Sequence, residues 1–113
     1  MDASSPPKPQ RLTVYSADAA LDLAEIHTHT ALHWGWEQAE RYVELIKNEA
    51  QNAAATPRSG RPVAGFEDVF TVTVKWKNAK YAHYIVYKPI ENGIYISRIL
   101  HSAMDMPSHL HFQ

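Results

Sequence analysis

The apolar residues of this 113-residue chain change their repeat partway along, and that change limits the fold to one class. Trp36, Ala39, Val43, Ile46, Ala50 and Ala53 recur at steps of 3-4-3-4-3, an apolar stripe down one side of a helix. From Phe70 the step is two: Phe70, Val72, Val74 and Trp76 alternate with Thr71, Thr73 and Lys75. That is the pattern of a strand with one buried face. Helices first and strands afterwards predict an α+β fold, with a helical hairpin packed on one face of an antiparallel sheet.

The remaining elements fit around these two. Residues 1–10 are rich in Ser and Pro and read as a disordered leader, with residues 11–113 as a single domain. Arg11 to Tyr15 is a short strand. Ser16 is a candidate N-cap, with Asp18 and Asp22 near the positive end of a first helix. Ala20, Leu23, Ala24, His27, Ala31 and Trp34 would form its buried side, and Gly35 ends it. On the second helix Glu37 and Arg41 are placed for an ion pair. Residues 56–62 read as a loop. Tyr81 to Lys88 and Ile94 to His101 read as strands joined at Glu91-Asn92-Gly93, since Asn-Gly is a strong hairpin signal. The order is β-α-α-β-β-β. A helical hairpin returns the chain to the end where the first strand stopped, so the second strand is expected to run antiparallel to the first. The sheet face away from the helices is then a candidate binding surface.

Composition narrows the function. There is no cysteine, which excludes disulfides and thiolate chemistry and points to a bacterial-type cytosolic chain. No apolar run approaches the ~20 residues that cross a bilayer. The formal charge is −1 but uneven: residues 1–56 hold four Lys/Arg against eight Asp/Glu, and residues 57–113 hold seven against four. The second half therefore favours an acidic partner. Lys75, Lys77, Lys80 and Lys88 beside Trp76, Tyr81 and Tyr87 outline a nucleic-acid platform, but so few lysines against acidic helices give a weak field. Edge protection explains Lys75 and Lys77 as well.

The residues able to do chemistry lie late in the chain. Simple alternation puts Arg98 on the face of Ile94, Ile96 and Leu100, so its charge must be paired or presented. Asp105 is the simplest partner, and both readings stay open. His83, Tyr84, Tyr87, Arg98 and His101 crowd the sheet and permit acid–base work. His29 and His33 have a four-residue spacing able to hold zinc, but no third ligand is placed, so no metal and no cofactor is expected. No activated nucleophile and no phosphate loop is present.

Asp22-Leu23-Ala24-Glu25-Ile26, Trp34-Gly35, Gln38-Ala39, Tyr42, Pro57, Gly60-Arg61 and His83 to Tyr87 together resemble the ParE/RelE toxins of type II toxin–antitoxin systems. The run Ile96 to His101, followed by Met104-Asp105 and His109-Leu110, is similar to the ParE branch, known also as plasmid-stabilisation proteins. The resemblance covers residues 11–111 and implies the same β-α-α-β-β-β fold. It implies a cytoplasmic toxin neutralised by a ParD-like antitoxin in a hetero-oligomer, with DNA gyrase as its target. On that reading Arg61, Arg98, His101, Met104 and Asp105 form the target-binding surface, and the protein binds rather than catalyses. The RelE branch is the alternative: an mRNA endoribonuclease with His83 or His101 as base and Arg98 holding phosphate. Such enzymes use a basic cluster and a terminal Tyr or His. Here the segment after Leu100 offers histidines alone, which favours the ParE branch.

Overall fold

The computed structural model describes residues 11–104 and Leu110; the expected leader, Asp105, His109 and His111 lie outside the described residues. The chain forms β1 (Leu12–Tyr15), α1 (Ala17–Trp34), α2 (Trp36–Ala55), β2 (Arg61–Pro62), β3 (Phe70–Val74), β4 (His83–Ile90) and β5 (Gly93–His101), with a 3-10 turn at Pro57–Ser59. The α+β architecture is the expected one: α1 packs over β5, and α2 over β3 and β1.

The helices start and stop for local reasons. The Ser16 hydroxyl accepts the Ala19 N–H at 2.9 Å, and Asp18 lies in the first turn. Gly35, at φ 94°, is the one residue between the helices, and a side chain would resist that backbone angle. On α2 the expected stripe is buried at Ala39, Ile46, Ala50 and Ala53 and is joined by Tyr42 and Ala54; Trp36 is exposed. On α1 the buried side is Ala19 and Ile26, with Leu23 packed against them. Ala20, Ala24 and Trp34, expected inside, are exposed. This helix carries apolar residues on opposite sides, so periodicity alone left its inner side undetermined.

The five-stranded sheet has the order β1-β5-β4-β3-β2. The expectation that the second strand opposes the first fails, because β1 pairs parallel with β5, Leu12 opposite Gly93. The cause is β2. It lies in the stretch read as loop, pairs antiparallel with β3, and adds one more chain reversal. β3 therefore runs in the same direction as β1. Proline ends β2 at the sheet edge, where a missing N–H is tolerated.

The β4–β5 turn divides its labour between two residues. Asn92 takes the left-handed conformation, φ 65°. Gly93 instead makes room: a Cβ there would collide with the Leu12 backbone, whose N–H donates to Asn92 O at 2.7 Å.

Strict alternation on β5 also fails. Val86 faces Arg98 but Tyr87 faces Ile96, so Ser97 is an extra residue, a β-bulge whose hydroxyl donates to Val86 O at 3.2 Å. The bulge shifts the phase. Ile94, Ile96 and Ile99 all join the cluster under the helices, while Leu100 joins Val69, Val86 and Leu110 in a second cluster. That second cluster occupies part of the sheet face expected to be a free binding surface.

Candidate functional site

The exit of β5 is organised by α1. β1 stops at Tyr15, opposite Ile96. Ser16 then donates its N–H to Ile96 O at 2.9 Å and its hydroxyl to Ser97 O at 2.7 Å, so the helix starts against the strand edge. Farther along α1, Asp22 reaches the next residues of β5. Its Oδ2 accepts Arg98 Nε–H at 2.7 Å and the Ile99 N–H at 2.9 Å, and its Oδ1 accepts Arg98 Nη2–H at 2.8 Å. This side-on, two-bond pairing is the strong form of an arginine–carboxylate contact.

The two side chains are 20% and 12% exposed, so the pair is largely removed from water. The Asp22 hydrogen bond, partly offset by burial, holds the Arg98 pKa above its ordinary value. Arg98 is thus a fixed cation with a described partner on α1, a residue first read only as a helix-end charge. Asp105, the partner expected from sequence, lies outside the described residues.

A second group meets where β4 and β5 end. His83 and His101 face each other in register, ring centroids 5.3 Å apart and edge to face. Tyr42 of α2 lies 2.6 Å from His83 Nδ1 through its hydroxyl. Burial pushes the Tyr42 phenol up to about 12, so it stays neutral, and its hydroxyl also lies 3.5 Å from the Val74 carbonyl, to which it can only donate. Burial first, and then His101 and His29, lower the His83 pKa to about 4. Held neutral and with Nδ1 engaged by Tyr42, His83 is a weak base, poorly suited to take a proton from a substrate.

His101 begins a tight turn. Its Nδ1 accepts the Ala103 N–H at 3.0 Å, and its carbonyl accepts the Met104 N–H at 2.9 Å. Ser102 ties the turn to the start of β4 through its N–H to Ala82 O at 2.8 Å and the Ala82 N–H to its hydroxyl at 3.1 Å. Tyr81 lies against the His101 ring, 4.8 Å between centroids, and Lys80 sits over Tyr81. The result is a rigid rim with Met104, Tyr81 and Lys80 exposed.

Of the residues expected to act together, Arg98, His101, Met104 and His83 share this end of the sheet. Arg61 does not. It lies on β2, with β3 and β4 between it and β5. Among the described residues no group of three or more metal-ligating side chains occurs. His33 donates Nδ1–H to the His29 carbonyl at 2.9 Å, and the two rings lie tilted against each other, 4.3 Å between centroids. Sequence reasoning missed Asp22 and Tyr42 as parts of the site. Asp22 carried a signal, for it lies between Ala19 and Leu23 on the margin of the buried side of α1.

Comparison with known proteins bears on the family and the fold. The family model described as ParE toxin of type II toxin-antitoxin system, parDE, matches residues 13–106. Toxin ParE1 of Caulobacter vibrioides is 27% identical over 103 residues, which cover 91% of this chain and 98% of that protein. A solved structure titled chromosomal ParDE TA system from P. aeruginosa has the same fold, with TM-score 0.62 and 22% identity over 80% of this chain and 95% of that one.

Proposed function

Because the chain belongs to the ParE toxin family of type II toxin–antitoxin systems, we propose that it arrests growth by binding DNA gyrase and is neutralised by a ParD-like antitoxin. The observation that carries this reading is the internal use of the groups an endoribonuclease would need. His83 is held neutral by burial with its Nδ1 hydrogen-bonded to Tyr42, and the Arg98 guanidinium is held side-on by Asp22. Proton transfer and phosphate binding need such groups turned outward. What the β5 exit offers instead is a firmly braced rim, His101 and Met104 with Tyr81 and Lys80, suited to shape recognition by a protein. Asp105, next along the chain and outside the described residues, is kept as a proposed contact from the sequence alone. Arg61 would contribute only to a contact broad enough to cross the sheet.

The antitoxin is proposed to cover the outer side of α1. Leu21 and Leu32 are 62% and 79% exposed, and with Ala24 and Thr28 they form an exposed apolar strip on α1, bordered by Glu25 and His29. An amphipathic helix or extended segment can pack on such a strip. No helix of the described residues is long and apolar enough to cross a membrane, and both partners are proposed to meet in the cytoplasm.

Induction of the protein alone in bacteria tests the target. Filamentation and a DNA-damage response are expected, with bulk transcripts intact, and purified protein should inhibit gyrase supercoiling. Rapid transcript cleavage without DNA damage would overturn the gyrase reading and restore the endoribonuclease alternative.

A further inference from the structure

We propose that Asp22 is a positioning residue for target binding: its carboxylate sets the course of the β5 exit and thereby places His101 and Met104. It does this without touching the target. The inference rests on the exit being the target-binding surface.

β1 accompanies β5 only from Gly93 to Ile96, and Ser16 covers the Ile96 and Ser97 carbonyls. Among the described residues, no strand lies beside the outer edge of β5 beyond Ser97. A strand edge needs acceptors for its N–H groups and something to fix its direction. The Asp22 carboxylate supplies both. Oδ2 takes the Ile99 N–H as a neighbouring strand's carbonyl would, while the same group grips Arg98 through two further bonds.

The Ser97 bulge makes that grip consequential. An extra residue bends and twists the strand at this point, so the direction of residues 98–101 is set by what holds them afterwards. β4 holds their inner edge. Among the described residues, Asp22 is the side chain bonded to the outer edge, two residues before His101. At 12% exposure its side chain is too covered to serve as a contact for a macromolecule. Its effect must therefore pass through the strand, as a supporting hydrogen bond orients a functional group in other sites.

Asp22→Asn keeps the shape, removes the charge and turns an amide N–H2 towards one of the donors. Arg98→Lys keeps the charge and loses the two-bond geometry. Both variants, and wild type, are compared in gyrase supercoiling inhibition at a temperature where circular dichroism shows each fully folded. Hydrogen exchange at the Ile99 amide is measured alongside. Each variant is expected to inhibit at least tenfold less than wild type and to exchange Ile99 faster. The double variant should be no worse than either single one, since the two residues act as a unit. Asp22→Glu, which keeps the charge on a longer stem, should recover part of the activity; a purely global loss of stability would not give that rescue in folded protein.

Full inhibition by folded Asp22→Asn, or unchanged Ile99 protection, would overturn the proposal. If wild type does not inhibit gyrase, the target reading falls instead. The positioning role is then judged by Ile99 exchange and by growth arrest with the same variants: arrest as strong as wild type overturns it.

Discussion

His83 shows how burial turns a titratable residue into a structural one. Its ring is held neutral by desolvation, by His101 opposite and by His29, and its Nδ1 is fixed by Tyr42. Its folded pKa of about 4 lies below the 6.5 of an ordinary histidine, so the unfolded chain takes up a proton first as pH falls. The contribution to stability is therefore complete above pH 6.5 and is lost progressively towards pH 4. Partial exposure screens part of the effect, leaving about 2 kcal/mol. Urea midpoints at pH 7, 5 and 4 should fall more steeply for wild type than for His83→Gln. Parallel curves would show that the ring titrates normally. The contact was not legible in the sequence, where His83 was a candidate base and Tyr42 a residue of the family pattern, with nothing to join them. Partners 41 positions apart are created by packing, not by any local pattern.

The elements differ in how openly the sequence declares them. α2 is amphipathic, so its inner side could be read directly. α1 is not, because Leu21 and Leu32 stand opposite Ala19 and Ile26, and both sides satisfy a helical period. β3 and the β4–β5 hairpin were legible because alternation and turn chemistry are local. The bulge at Ser97 and the two-residue β2 were not, since neither leaves a periodic trace, and each shifted a conclusion drawn from perfect alternation. The parallel pairing of β1 is the least local feature and depends on Gly93. Gly93→Ala would drive a methyl group into the Leu12 backbone and is expected to cost about 2–3 kcal/mol, as overpacking does. Chemical denaturation measures the loss, and hydrogen exchange should show it concentrated at Leu12 to Tyr15. A destabilisation spread evenly over the sheet would contradict this account.

At the scale of the whole molecule, the change from helical to strand period fixed the layering: a helical hairpin on one face of a sheet. The acidic first half lies largely in the helices, and the basic second half in the sheet. On the proposed reading two partners approach different surfaces, the antitoxin at α1 and the target at the β5 exit. Leu21→Asp with Leu32→Asp should weaken antitoxin binding at least a hundredfold in calorimetry and leave gyrase inhibition within about twofold of wild type. Equal loss of both would mean one shared surface.

The parallel pairing of β1 with β5 also orders events in time. Ser16 must wait for Ser97, 81 residues later in synthesis, before its hydroxyl has an acceptor there, and Asp22 waits 76 residues for Arg98. Contacts this distant along a chain form late. A nascent chain can therefore assemble its helical hairpin while the β5 exit is still unmade. On the proposed division of surfaces, an antitoxin that reads α1 would meet its binding strip before the toxin becomes active.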